Sequence, residues 1–171
     1  MRCLFAAVFL CGVSLHAQEL QNGDFAQGLK KWQVAAPKNG EVAKEVIEDG
    51  REGKPVLKIT VGNVGEIDNV VSLNQGGLLI NDGMTYTISF WAKCEPGPAK
   101  INVCVTFFNT GLLFLARPQK MTLTSKWTQY TYTFKASAVG EKSSLSFNNL
   151  GANNSVFYFS DIQLSETAPQ Q

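Results

Sequence analysis

Aromatic side chains interleaved with amides and hydroxyls are the residues of this chain that could do chemistry. Asn102, Thr106 and Phe108 occupy alternate positions of one predicted strand, and Trp91 and Gln129 lie on the polar sides of two others. An aromatic ring can pack against the apolar C–H face of a sugar ring. Amides and hydroxyls can exchange hydrogen bonds with sugar hydroxyl groups. The pattern therefore predicts a surface that binds sugar rings.

The stretch 109–117 adds Phe114 and Arg117 to these candidates and is expected to form a loop. Arginine offers a planar fork of donors, which suits paired hydroxyls. Other interpretations stay open at this stage. Trp91 could pack structurally, since tryptophan is often largely buried. Phe108 and Phe114 could be covered by their own apolar loop, or the loop could contact a partner chain.

Strands are predicted wherever Thr, Val, Tyr and Phe alternate with polar residues between Gly, Asn, Asp and Pro. No helical stripe stands out. Many short strands of this kind form two packed antiparallel sheets, so we expect an all-β sandwich. The predicted strands are 41–47, 56–61, 69–73, 85–93, 100–108, 120–123, 128–135, 144–148 and 156–164.

The net charge of the chain indicates which classes of ligand it can bind. Removal of residues 1–17 would take away Arg2 and His16, leaving 14 basic residues, 14 acidic residues and no histidine. A chain of zero formal charge is unsuited to nucleic acid or to an anionic membrane surface, both of which need clustered basic residues. Without histidine, Ser-His-Asp and Cys-His nucleophiles are excluded and a catalytic zinc is improbable. Neutral ligands fit best.

Four motifs occur in a characteristic order. They are Asn22-Gly23-Asp24-Phe25 with Gly28 and Trp32, the stretch 83–93, the stretch 127–134, and the stretch 157–164. In this order they resemble the carbohydrate-binding modules grouped as families 4, 9, 16 and 22. The resemblance covers nearly the whole chain after residue 17. It implies a galactose-binding-like β-sandwich jelly roll, often accessory to a glycosidase.

The resemblance also implies one structural calcium ion, because the first and last strands of such modules lie together around a metal. Asp24, Gly28 and Asp161 would be its ligands here, since calcium takes carboxylate and backbone carbonyl oxygens. Ala26 and Ser160 stand where related modules often carry acids. The alternative is that both aspartates are turn residues satisfied by local backbone donors.

The first 17 residues resemble a secretory signal, with Arg2, an apolar run and a small residue, Ala17, at the expected cleavage site. The apolar run is shorter than the roughly 20 residues that cross a bilayer. We expect a secreted or periplasmic, monomeric protein without membrane insertion. The expected organisation is a signal peptide at 1–17, one domain at 18–165, and a frayed tail at 166–171.

Cys94 and Cys104 remain after cleavage, and an even count in an exported chain suggests a disulfide. The turn 95–98 would instead pair Cys94 with a residue near Lys100. At about 3.3 Å per residue, Cys104 would then lie beyond the roughly 7 Å between Cα atoms that a disulfide spans. The spacing favours two free thiols.

Catalysis is not expected. Hydrolysis of a glycosidic bond needs two carboxylates facing one cleft, and the predicted binding strands carry none at their outward positions. The sequence therefore favours non-catalytic binding of a neutral polysaccharide or oligosaccharide, with a glycoside hydrolase or envelope protein as partner. The alternative is a structural or adhesive module of the cell envelope, since one scaffold serves many functions.

Overall fold

A computed structural model describes residues 20–64, 71–108 and 111–167. Within these ranges the chain forms ten strands and no helix. None of the described residues therefore belongs to a helix long and apolar enough to cross a membrane. The strands are β1 (Gln33–Ala35), β2 (Val42–Arg51), β3 (Lys54–Val61), β4 (Ser72–Ile80), β5 (Thr85–Glu95), β6 (Ala99–Phe108), β7 (Leu112–Leu123), β8 (Thr128–Lys135), β9 (Gly140–Asn148) and β10 (Ser155–Thr167).

The strands form two five-stranded sheets, and all their pairings are antiparallel. Sheet A has the order β1-β4-β9-β6-β7, and sheet B has the order β2-β3-β10-β5-β8. Consecutive strands β4, β5 and β6 alternate between the sheets, and so do β8, β9 and β10. The expected antiparallel β-sandwich jelly roll is confirmed.

Alternating burial shows how the core forms between the sheets. In β5 every second residue from Tyr86 to Cys94 is buried. At the centre, Phe90 of β5 meets Phe147 of β9 edge to face at 4.9 Å between ring centres, and Phe147 meets Phe159 of β10 at 5.2 Å. Full burial of one such ring contributes about 1.5–3 kcal/mol. Trp32 is 6% exposed and packs against Phe147, so it belongs to this core.

Three predicted boundaries were wrong. The stretch 112–117 was expected to be loop but is strand, because its residues pair with the end of β6. Strand β4 continues to Ile80, because a register shift after Gln75 absorbs two glycines, with Gly77 at φ 81°. Glu166 and Thr167 belong to β10 rather than to a frayed tail, since the hydroxyl of Tyr86 donates to Glu166 at 2.6 Å. The signal peptide and residues 168–171 lie outside the described residues.

Candidate functional site

The outer side of sheet A carries a set of uncharged polar side chains, of which Cys104 and Ser146 are only 3% and 8% exposed. On β6 and β9, core residues such as Val103 and Phe147 alternate with side chains that point away from the core. The surface, called here the sheet A face, consists of Ser72, Asn74, Asn102, Cys104, Thr106, Ser144, Ser146 and Asn148. None of these side chains is charged at neutral pH, and all are hydroxyls, amides or a thiol.

Strand register brings these side chains together in rows. Asn148 lies opposite both Ser72 and Asn102, so one row crosses β4, β9 and β6. The next row joins Asn74, Ser146 and Cys104 in the same way. Side chains directly opposite in antiparallel strands have Cβ atoms about 4.5–5.5 Å apart.

Part of this surface is already hydrogen-bonded and part is available to a ligand. Asn74 donates to the hydroxyl of Ser72 at 2.8 Å, and Asn148 donates to the thiol of Cys104 at 3.4 Å. Within the described residues, the side chains of Asn102 and Thr106 form no hydrogen bond. These two predicted site residues therefore keep their full donor and acceptor capacity.

An apolar end closes the sheet A face where β6 and β7 meet. Phe108 is 73% exposed and lies opposite Leu112, and Phe114 is 39% exposed and lies opposite Thr106. Leu112 and Leu113 are exposed beside these rings, and a group of exposed apolar side chains is a candidate contact surface. Arg117 is also exposed, in the part of β7 where register shifts between Ala116 and Gln119. The structure thus places Asn102, Thr106, Phe108 and Phe114 together, with Arg117 on the adjoining edge strand.

Trp91 and Gln129 lie elsewhere, so the expectation of one shared surface was wrong. They are register partners on β5 and β8, and both strands belong to sheet B. Phe90 and Ala92 are buried, which points Trp91 to the outer side of that sheet. The whole thickness of the sandwich separates this side from the sheet A face. One sugar ring cannot contact Trp91 and Phe108 together.

The ring of Trp91 also has a protein partner. The guanidinium carbon of Arg51 lies 4.4 Å from its ring centre, a cation–π contact. Arg51 is the last residue of β2 and is only 6% exposed. One face of the indole is therefore occupied, which favours the structural interpretation of Trp91.

A second aromatic group lies on the outer side of sheet B. The ammonium of Lys93 is 4.4 Å from the ring centre of Tyr158 and 5.6 Å from that of Trp127, and it pairs with Glu95 at 2.5 Å. The hydrogen bond from Lys93 lowers the pKa of the Glu95 carboxyl. Trp127 is half-buried and packs edge to face on Tyr158. Lys93 occupies the space above these rings.

The three predicted calcium ligands do not fit a divalent ion. The carboxylate of Asp161 accepts from Arg51 and Lys54, with Lys54 at 3.0 Å. Asp24 accepts the amide of Ala26 at 3.2 Å, and the carbonyl of Gly28 accepts from an asparagine side chain at 2.9 Å. Like unit charges 4 Å apart repel by about 4 kcal/mol at an effective dielectric constant near 20, so the two cations at Asp161 oppose a third.

In the part of the chain that the structure describes, the remaining metal-ligating side chains also give no sign of a calcium site. Among the described residues, no group of three or more His, Cys, Asp or Glu side chains could hold a metal ion. Asp24 instead fits the alternative interpretation as a turn residue, because its carboxylate accepts a hydrogen bond from the backbone amide of the residue two positions later.

Both cysteines are free, as the spacing predicted. Cys94 is in the core of sheet B, and Cys104 is on sheet A. Burial raises the pKa of the Cys94 thiol to about 11 and also raises that of Cys104. Because the thiolate is the reactive form, both thiols are expected to be inert near neutral pH.

The family of the chain is decided by a match of residues 17–153 to the model of the carbohydrate binding domain CBM_4_9. The chain belongs to this family. A search of curated protein sequences found no match. Membership makes the chain a non-catalytic carbohydrate-binding module, as the resemblance implied.

Solved structures of other modules share this fold. The structure described as "CBM4 structure and function" is 24% identical, with a TM-score of 0.67, 85% of this chain covered and 98% of that one. The N-terminal cellulose-binding domain of Cellulomonas fimi β-1,4-glucanase C is 18% identical, with a TM-score of 0.62 and coverage of 84% and 93%. The CBM22-1 xylan-binding domain of Paenibacillus barcinonensis Xyn10C is 14% identical, with a TM-score of 0.60 and coverage of 81% and 87%. At these identities the likeness concerns the fold.

The sheet A face contains residues that the sequence-based candidates omitted. Ser144, Ser146 and Asn148 alternate with the apolar residues Leu145 and Phe147 in the predicted strand 144–148. This alternation indicates that the three polar side chains point outward. Ser72 lies within the predicted strand 69–73, whereas Asn74 could not be found in this way, because that strand was predicted to end at residue 73.

Proposed function

We propose that this module is exported and binds a neutral polysaccharide on the sheet A face. The observation that carries the proposal is the alignment of uncharged amide and hydroxyl rows with an exposed aromatic end. In this arrangement Asn102 and Thr106 bond sugar hydroxyls, while Phe108 and Phe114 stack on the C–H faces of pyranose rings.

The uncharged side chains of the sheet A face support the proposal of a neutral ligand. An acidic sugar would need a cation within the surface, and none of the eight side chains of the sheet A face is positive. The nearby cations are on the edge strand β7, where Lys120 lies directly opposite Asn102 and Arg117 lies further along, and both are exposed. Exposed charges of this kind contribute little to affinity and are screened by salt.

Export is supported by the charge, apolar run and small residue of 1–17, with cleavage after Ala17. We propose that the module acts outside the cytoplasm as a monomer, with a glycoside hydrolase or envelope protein as its partner. N-terminal sequencing of the protein recovered from the culture medium or periplasm tests the cleavage site. A mature protein beginning at Gln18 is expected.

Affinity electrophoresis in gels containing neutral polysaccharides of different linkage tests the binding site. Phe108→Ala and Asn102→Ala should each lose most of the retardation seen for the wild type. Each stacking or hydrogen-bonding contact is worth about 1 kcal/mol or more, which corresponds to roughly a fivefold or greater loss of affinity.

Gln129→Ala is the matched control, because it removes an exposed amide from the opposite side of the sandwich. It should bind like the wild type. If Gln129→Ala loses binding and Phe108→Ala keeps it, the ligand site lies on sheet B and the proposal is wrong. Circular dichroism of each variant checks that the fold is intact.

A second candidate function is protein contact in the cell envelope, which is favoured by the apolar end itself. Leu112 and Leu113 are 60% and 43% exposed beside Phe108, and exposed apolar groups of this kind mark protein contacts. Leu113→Ser separates the two functions, because Leu113 pairs with Phe107 and points away from the sheet A face. Unchanged polysaccharide binding by Leu113→Ser supports the sugar site, whereas absence of binding to every polysaccharide by the wild type supports the protein contact.

A further inference from the structure

We infer that the guanidinium of Arg51 takes the place of a structural metal ion in this module, so that the fold does not depend on calcium. A metal at the junction of the first motif and the last strand would balance carboxylate charge and hold the two segments together. Here an internal cation does so from the end of β2. This inference is independent of the proposed sugar site, which lies on the other sheet.

Arg51 lies at the centre of a cluster of charges. One of its terminal nitrogens donates to Oδ2 of Asp161, and the other donates to Glu52 at 2.9 Å. The ammonium of Lys54 donates to the same oxygen of Asp161 at 3.0 Å. Asp161 therefore has two cationic partners, and its own side chain is 18% exposed.

Burial makes the pairing between Arg51 and Asp161 obligatory. The side chain of Arg51 is 5% exposed, and the indole of Trp91 stacks on its guanidinium. Nε of Arg51 is buried and has no hydrogen-bond partner among the described residues, so its terminal nitrogens fix its position. A buried charge without a partner is strongly unfavourable. Loss of Asp161 would leave Arg51 with only the exposed carboxylate of Glu52 as its anionic partner.

The cluster is directly connected to the junction of the terminal segments. Asp161 has a φ of 49° and lies in the register shift of β10 between Ser160 and Gln163. The next residue, Ile162, donates its amide to the carbonyl of Gly23 at 2.9 Å. By neutralising Asp161, Arg51 thus stabilises the irregular segment of β10 that hydrogen-bonds to the first motif.

Thermal unfolding of the intact mature protein tests the inference. The melting temperature of the wild type should be the same within about 1 °C in EDTA and in millimolar CaCl₂, since a ligand that does not bind the folded state does not stabilise it. Arg51→Met keeps the length of the side chain and removes its charge. It should lower the melting temperature by about 10 °C in EDTA, because it breaks a buried ion pair.

Two further variants keep the test decisive if Arg51→Met does not fold. Asp161→Asn retains a residue that tolerates positive φ and removes the buried anion of Arg51, leaving only the exposed Glu52. It should therefore also lower the melting temperature by several degrees. Glu45→Gln breaks the exposed pair with Lys58, 2.8 Å apart on the same sheet, and should change it by less than about 2 °C.

Three outcomes would overturn the inference. The first is a wild-type melting temperature that falls in EDTA and returns with calcium. The second is about one calcium per chain by elemental analysis after dialysis against calcium-free buffer. The third is a pair of variants, Arg51→Met and Asp161→Asn, that melt like Glu45→Gln.

Discussion

The carbonyl of Gly23 accepts a hydrogen bond from the amide of Ile162, and the two backbones approach so closely that no side chain fits between them. A Cβ on Gly23 would overlap the carbonyl oxygen of Ile162. This contact explains why the motif Asn22-Gly23-Asp24-Phe25 has glycine at its second position. It also joins the first motif to the last one.

Gly23→Ala should therefore destabilise the module by about 3 kcal/mol, as expected of a core that must shift to accommodate added atoms. Urea unfolding of the purified protein measures this. Gly28→Ala provides a graded control, because Gly28 has a φ of 62° but open space around it. It should cost about 1 kcal/mol through backbone strain alone. Equal losses in the two variants would show that the close approach does not matter.

Trp91→Ala should lower stability and leave sugar binding unchanged. The indole stacks on the buried Arg51 and lies on the sheet opposite Phe108. Removal of the ring exposes the ion pair to water and loses both packing and the cation–π contact, for a total of about 3 kcal/mol. Trp91→Phe, which keeps a ring, should lose less. Loss of retardation by a folded Trp91→Ala variant in affinity electrophoresis would contradict this prediction.

Stability should decline at alkaline pH through Tyr86. Burial raises its pKa from 10.0 to about 12, while its hydroxyl donates to Glu166. The folded state therefore holds this proton more tightly than the unfolded state. The stabilisation is complete below pH 10 and is lost as pH rises toward 12, to a limit of about 3 kcal/mol.

Urea midpoints measured between pH 9 and pH 12 test this decline. Tyr86→Phe is less stable at neutral pH, because it loses a hydrogen bond, but its stability should fall less over this range. If the stability of Tyr86→Phe falls as steeply as that of the wild type, groups other than Tyr86 cause the decline.

Both thiols should be unreactive in the native protein near neutral pH. Burial raises the pKa of Cys94 to about 11 and raises that of Cys104, so little thiolate exists there. A thiol reagent should label two groups per mature chain after denaturation and almost none before. Reductant should not change the melting temperature, and a shift on reduction would indicate a disulfide.

No glycan should be hydrolysed by the purified module. The sheet A face carries no carboxylate, whereas glycoside hydrolysis uses a pair of them. Reducing-sugar release on soluble polysaccharides checks this. Activity that copurifies with the protein and disappears on substitution of one Asp or Glu would contradict the prediction.

Local pattern was sufficient to predict most strands and the direction of their side chains. Alternation in β6 correctly separated Val103 from Asn102, because successive residues of any strand point to opposite sides. The same rule placed Trp91 on the outward side of β5, and the structure buries its neighbour Phe90 on the other side. Boundaries failed where a register shift let a strand continue, as after Gln75 in β4.

Only the tertiary structure decided which outward side chains share a surface. The alternation of side chains along a strand indicates that Trp91 and Phe108 both point outward. It contains no information on which sheet each strand joins. That choice depends on pairing between distant segments, which places β5 beside β10 and β6 beside β9. Arg51 and Asp161 are 110 residues apart, and nothing local to either indicates that they meet. The sequence by itself determined an all-β carbohydrate-binding fold, whereas the folded chain decided that amide rows and exposed phenylalanines form one surface and that an arginine neutralises Asp161.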